Sequence, residues 1–416
     1  MLTNKPWDKY GKRYNVSRVM DPGTLTFNQT KYDAYSPMYL GIANALRDMS
    51  FLMSNSALIT YAILYFHREI ISGFKAAFNF RTGRGKDIHN QLMAVYPEVP
   101  EWWYLIILII SIVSGCVMVE VYHTGMPIWG VFFAATVAVV MVVPTGIILG
   151  ATNVTVYFNV LGEYVAGYAI PGKPLANMLF KAFTVVAPAQ TLMFSSGLKL
   201  GHYSKIPPRD LFWVQTIGAV VGATVGVFVA DWQVDNIVGL CSDKQKAHFT
   251  CPNIHTFFTG SLTWGLMGPS RMYGSNGMYS KLQWLVLAGF LLPVPIWYLQ
   301  KKYPKNEFLK YVHIPIIISG FNTWVPYSLA YMIPVFYLTM IFNYWIKRKY
   351  ESWWLRYNYL VAASFSIGLA ISGLVIFFSV QYHDVTDALA WWGNTVPYAG
   401  LDFNKVSLLK MYVVSA

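Results

Sequence analysis

The chain has 416 residues, of which 55% are hydrophobic and only 12% charged, with 15 Trp, 29 Tyr and 26 Phe. A soluble globular chain carries about a quarter charged residues, whereas here the apolar residues gather into recurrent runs of membrane-crossing length. This excludes a cytosolic enzyme, a nucleic-acid reader or a disordered scaffold and predicts an all-α, polytopic integral membrane protein, because helices in hydrocarbon satisfy their own backbone polar groups. The net charge of +12 has a topological source: Arg81, Arg84 and Lys86, then Lys199, Lys205 and Arg209, then Lys347, Arg348 and Lys349 lie between apolar runs, in the positive-inside pattern. No nucleic-acid partner is expected.

Residues 1–36 are polar and turn-rich, carry the triplets Asn15-Val16-Ser17 and Asn28-Gln29-Thr30, and read as an extramembranous segment. No charged stretch with a following apolar core opens the chain, so the first span is expected to serve as its own insertion signal. A transmembrane domain is expected over 37–380 and an extramembranous tail over 381–416. Length and lack of charge predict spans at 49–66, 103–121, 127–149, 210–230, 282–300 and 359–380. Segments 152–171 and 177–197 hold Glu163, Lys181 and several Gly or Pro, and read as discontinuous helices lining a cavity. The stretch 312–346 is long enough for two spans broken near Pro326, and 253–268, short and ending in Gly268-Pro269, reads as a re-entrant half-helix. About ten transmembrane helices result. If the basic loops are all cytoplasmic, 152–171 crosses, 253–268 does not, and 232–252 faces outside, although Lys5, Lys9, Lys12, Arg13 and Arg18 argue against an external N-terminal segment. Trp102-Trp103, Trp353-Trp354 and Trp391-Trp392 fall where interfacial aromatic belts are expected.

The segment GEYVAGYAIPGKPLAN, 162–177, is the richest in chemistry. A carboxylate near mid-span costs roughly 3 kcal/mol to insert, so intramembrane acids are functional by default, and Glu163 is expected to bind a proton or an amine. The alternative is that Glu163 pairs with Lys181 and merely holds two helices together. Pro171, Gly172 and Pro174 break the helix and free backbone groups to meet a polar solute. Tyr157, Tyr164 and Tyr168 on the same segment supply hydroxyls, with helix packing as the competing explanation. In LKLGHYSKIPPR, 198–209, His202 is the candidate proton relay, Pro207 and Pro208 stiffen the entry to the next helix, and Lys205 and Arg209 set topology. Glu120, Asp231 and the pair Arg47-Asp48 sit near predicted span ends, where solvated or headgroup contacts are expected.

Cys116 lies mid-span, whereas Cys241 and Cys251 flank a polar loop that closes a disulfide if it faces an oxidising compartment. Cys and His spacings match no metal site, no cofactor is expected, and no nucleophile or paired-acid constellation supports an enzyme.

The KIPPR element, Lys205 to Arg209, together with DIHNQLMAVYPEVPEWW at 87–103, FTCPNIHTFFTGSLTWGLMGPSRMY at 249–273, ESWWLRYNY at 351–359 and WWGN at 391–394, resembles the oligopeptide transporter family, in its peptide- and glutathione-transporting fungal and plant branch. Full family members are about twice as long and carry an N-terminal set of spans with an NPG-type motif, so the chain resembles a C-terminal half. The resemblance implies proton-coupled import of small peptides or glutathione across a lipid bilayer, the plasma membrane first and an endomembrane second. It places the Glu163 segment and 253–268 near the substrate path. Gly197 and Ser366 stand where the family pattern has acids, which leaves Glu163 to carry coupling alone or marks an impaired copy. One proton suffices energetically: about 2.3 kcal/mol per 100 mV and about 1.4 kcal/mol per pH unit together drive several-hundred-fold accumulation of a neutral peptide. A non-transporting half-copy or assembly partner, and transport of metal chelates, are the alternative readings.

Overall fold

The computed structural model of the chain describes residues 5–78, 88–242, 251–275, 277–323, 329–383 and 391–392. The described residues are helical apart from loops and isolated bridges such as Trp7 with Tyr39. Two compact units are present: Met1–Val229 with His255–Pro326, and Ala230–Ile254 with Tyr327–Ala416.

In the first unit, α1 (Gln29–Tyr35) precedes the long α2 (Ile42–Phe78), which kinks at Phe66, where the expected span ends. Then come α3 (Ile88–Met93), α4 (Glu101–Val121) and α5 (Ile128–Thr152). Left-handed Asn153 closes α5 and an irregular stretch leads into α6 (Asn159–Ala169). At about 1.5 Å per residue its 11 residues fall well short of the roughly 30 Å hydrocarbon core. The expected crossing at 152–171 is therefore part irregular and part helical, with Val156 and Phe158 buried in protein, as irregular backbone at that depth requires.

Gly172 adopts φ +74, a conformation a side chain resists, and turns the chain between α6 and α7 (Pro174–Lys181), whose first residue is Pro174. A π-helical turn, Ala182–Val186, joins α7 to α8 (Ala187–Tyr203) without a break. Pro208 starts α9 (Pro208–Asn236), as its fixed φ favours. Next is α10 (Pro252–Gly260), which runs into the π-helical stretch Ser261–Met267. Gly268 at φ +82 ends it and Pro269 begins α11 (Pro269–Tyr273). These nine α-helical and seven π-helical residues are too few to cross, and they match the expected half-helix at 253–268. The unit continues with α12 (Trp284–Leu291), α13 (Pro293–Lys302), α14 (Glu307–Lys310) and α15 (Ile314–Ser319).

The second unit holds α16 (Leu329–Thr339), the π-helical Met340–Ile346, α17 (Lys347–Lys349) and α18 (Glu351–Ile376), and pairs Cys241 with Cys251, Cα atoms 4.7 Å apart. The predicted break near Pro326 lies outside the described residues. The 37–380 and 381–416 boundaries remain expectations, and most of the tail is not described.

Among the described residues seven helices are long and apolar enough to cross a membrane: Ile42–Lys75, Glu101–Val121, Ile128–Thr152, Pro174–Tyr203, Pro208–Asn236, Ser280–Lys302 and Glu351–Val380. Of the other expected spans, 152–171 is realised as the short α6 with a non-helical lead-in, and 312–346 includes residues outside those described. The chain is an all-α polytopic membrane protein.

The polar N-terminal segment is folded onto the first unit. Tyr14, Val19, Met38 and Leu40 share one apolar cluster with Met49, Leu52, Trp264, Leu266, Met267 and Tyr273. Asn15 and Asn28 are helix caps, accepting from Ser17 N and Lys31 N.

Candidate functional site

Three short helical pieces meet at Glu163, held close by glycines. A Cβ on Gly162 of α6 would collide with Thr184, one on Gly265 would lie 2.7 Å from Pro174 Cα, and one on Gly260 would lie 2.8 Å from Glu163 Oε1. The carboxyl group thus sits directly against the bare backbone of α10, in a space that no larger residue at 260 leaves open. Glu163 is 3% exposed. Lys181 Nζ donates to Glu163 Oε1 at 2.5 Å and lies 4.5 Å from the centroid of the Phe257 ring. Asn177 Nδ2 donates to the Glu163 backbone carbonyl at 2.9 Å, while its Oδ1 is buried without a partner. The π-helical turns Ala182–Val186 and Ser261–Met267 flank the pair, a feature frequent at functional sites.

Tyr164 and Tyr168 stand edge to face at 5.1 Å, and Tyr164 reaches the buried Trp264 at 5.8 Å. Tyr168 and Tyr157 are exposed. The carbonyl freed at Gly172 accepts from Phe27 N at 3.0 Å, and Lys173 Nζ donates to Gly125 O, so the break at 171–174 is engaged by the N-terminal segment and the α4–α5 turn.

His202 belongs to a different place. It lies on the same continuous helix as Lys181, 21 residues further on, which at about 1.5 Å per residue separates the two by roughly 30 Å. There His202 and Tyr203 surround His89 of α3, with ring centroids at 6.5 and 4.9 Å, Lys205 Nζ contacts His89 Nδ1 at 2.9 Å, and Arg209 Nε donates to Glu98 O at 3.1 Å. The motif with Pro207 and Pro208 fastens α3 to the turn between α8 and α9 rather than lining the Glu163 site.

Arg47 and Asp48 correct the expectation of headgroup contacts. Asp48 is 3% exposed and accepts from Arg47 Nη2 at 2.7 Å. Both lie within electrostatic reach of Glu163, and Asp48 within reach of Lys181. Two charges within two residues end a hydropathy window, yet here they neutralise each other and α2 starts earlier, at Ile42. Asn44, Asp48 and Asn55, all buried and spaced four and seven apart, are the sequence signal that marks this polar face. Gly197 has a steric consequence: a side chain there would meet the Gln215 amide, which fills the space an acid would need.

The model of the "OPT oligopeptide transporter protein" family matches residues 2–380. The chain belongs to the oligopeptide transporter family. It is 35% identical to Oligopeptide transporter 5 of Arabidopsis thaliana over 94% of the chain and 53% of that protein. It is 34% identical to Glutathione transporter 1 of Schizosaccharomyces pombe over 98% of the chain and 47% of that protein, and 34% identical to Oligopeptide transporter 2 of Saccharomyces cerevisiae over 97% and 47%. This member of the oligopeptide transporter family therefore spans about half the length of the curated relatives it matches. No solved structure matches the chain. The family is one of transporters, which is not an enzymatic activity.

Proposed function

We propose that the chain moves small oligopeptides or glutathione across a membrane, with a proton bound at Glu163 coupled to substrate movement. The observation that carries this reading is the buried Glu163–Lys181 pair at a helix break, in a chain whose relatives are named as oligopeptide and glutathione transporters. A carboxylate so placed exchanges its lysine for a proton or a substrate amine without leaving its pocket, and the short helices around it are free to repack at their glycine crossings. The plasma membrane is the expected location, with 232–252 on its outer side, where a Cys241–Cys251 bond is stable.

The test is uptake of labelled glutathione, a tetrapeptide and a metal chelate by transporter-deficient cells expressing the 416-residue chain. Saturable, pH-dependent uptake of a peptide is expected. A membrane-inserted chain that moves none of the three supports the second reading, a non-transporting half-copy or an assembly partner, which Gly197 and Ser366, standing where the family pattern has acids, favour.

A further inference from the structure

Arg47 and Asp48 are neighbours in α2, and consecutive helical residues ordinarily point apart. Here the guanidinium folds back so that both Nε and Nη2 donate to Asp48 Oδ1, at 3.2 and 2.7 Å, with the two side chains 11% and 4% exposed. Beyond them lies the second buried pair, Glu163–Lys181. Four charges, two of each sign, thus share one buried region of the first unit.

Several polar atoms around these charges have no partner. Asn44 Oδ1 lies one turn before Asp48 on the same buried face of α2. Asn177 Oδ1 belongs to the amide that holds the Glu163 carbonyl. Tyr273 Oη, on a fully buried ring stacked on Trp264 and within electrostatic reach of Asp48 and Arg47, is the third. A buried polar atom left unpaired costs about 1–3 kcal/mol, so three around one charge cluster mark a place built to receive hydrogen bonds. Two are amide oxygens, which accept from N–H donors. The ligand that supplies N–H donors, one cationic end and one anionic end is a short peptide with both termini free.

We propose that the two ion pairs form one site for a zwitterionic peptide, which binds by exchanging partners: its carboxylate takes Arg47, its ammonium takes Glu163, and the displaced Lys181 moves to Asp48. Every charge stays paired through the exchange, which avoids the penalty of an isolated buried ion. The planar fork of Arg47 suits the carboxylate in particular. The inference rests on the peptide-carrier reading and adds to it that both termini are required.

The test uses the purified 416-residue chain in lipid nanodiscs, with calorimetric binding of tetra-alanine, its N-acetyl form and its C-terminal amide. Each block is expected to weaken binding about 10- to 100-fold, the range for losing a charge-assisted hydrogen bond. The double variant Arg47→Gln/Asp48→Asn removes both charges of the first pair; in it the amide is expected to bind as well as the free acid, and the acetyl penalty is expected to shrink, because Lys181 then has no second carboxylate to move to. Arg47→Lys, which keeps the charge and loses the fork, is expected to show an intermediate amide penalty. If wild type binds all three peptides equally, or the double variant still rejects the amide, the two-pair site is overturned while the peptide reading stands. If folded wild type binds none of them, both are overturned.

Discussion

Replacing Lys181 by Gln removes the cation from a carboxylate that is 3% exposed. At 2.5 Å, Coulomb's law with an effective dielectric of about 20 gives an attraction near 7 kcal/mol. Taking two ions out of water costs several kcal/mol each, so the intact pair contributes little net stability. The asymmetry appears on mutation. Lys181→Gln leaves Glu163 uncompensated and is expected to destabilise the protein by about 3–5 kcal/mol, whereas Glu163→Gln/Lys181→Gln, which buries two neutral amides, is expected to lie closer to wild type than Lys181→Gln does. Denaturant unfolding of the detergent-solubilised chain, followed by tryptophan fluorescence for the two singles and the double, closes the cycle. Additive losses would refute the reasoning, because independent residues do not relieve each other.

Three further outcomes follow from particular contacts. Gly260→Ala places a methyl 2.8 Å from Glu163 Oε1, so overpacking is expected to cost about 1–3 kcal/mol and lower the thermal midpoint, and peptide uptake per folded molecule is expected to fall at least tenfold; unaltered uptake and midpoint would show that α10 does not press on the carboxylate. Asp21 accepts from Lys31 at 2.7 Å and from Asn28, and these bonds hold its carboxyl below the usual range. Its contribution is therefore fully present above the unfolded-state value near 4 and is lost as pH falls from there through the lower folded value, so the thermal midpoint of wild type is expected to drop more between pH 7 and pH 3 than that of Asp21→Asn, read by scanning fluorimetry. Alkylation of the unreduced protein is expected to label Cys116 alone among its 3 cysteines, with Cys241 and Cys251 labelled after reduction, as peptide mass spectrometry reports.

Much of this was legible in the residues. Apolar run length located the crossing helices, and Pro171, Gly172 and Pro174 marked a real interruption because proline and positive-φ glycine act locally. Gly268-Pro269 ended the half-helix for the same reason. Glu163 stood out because charge inside an apolar run is rare, and the pairing with Lys181, expected only as an alternative, is present. What local reading missed depends on tertiary partners. Arg47 and Asp48 looked like a span edge because neutralisation by a neighbour is invisible to a hydropathy average. The N-terminal segment 1–36 read only as polar, turn-rich and extramembranous because its anchors, Tyr14 and Val19, are isolated in sequence and gain meaning only against Trp264 and Tyr273. The π-helical turns have no compositional signature, and the distance from Glu163 to His202 followed only once α7 and α8 were found to be continuous.

The central claim is that Glu163 couples a proton to peptide movement, and uptake of a radiolabelled tetrapeptide into proteoliposomes holding the 416-residue chain, with and without an imposed proton gradient, tests it most directly. The account predicts that wild type accumulates peptide above equilibrium only when the gradient is present, and that Glu163→Gln equilibrates peptide at the same level with or without it. Gradient-driven accumulation that survives Glu163→Gln would contradict it.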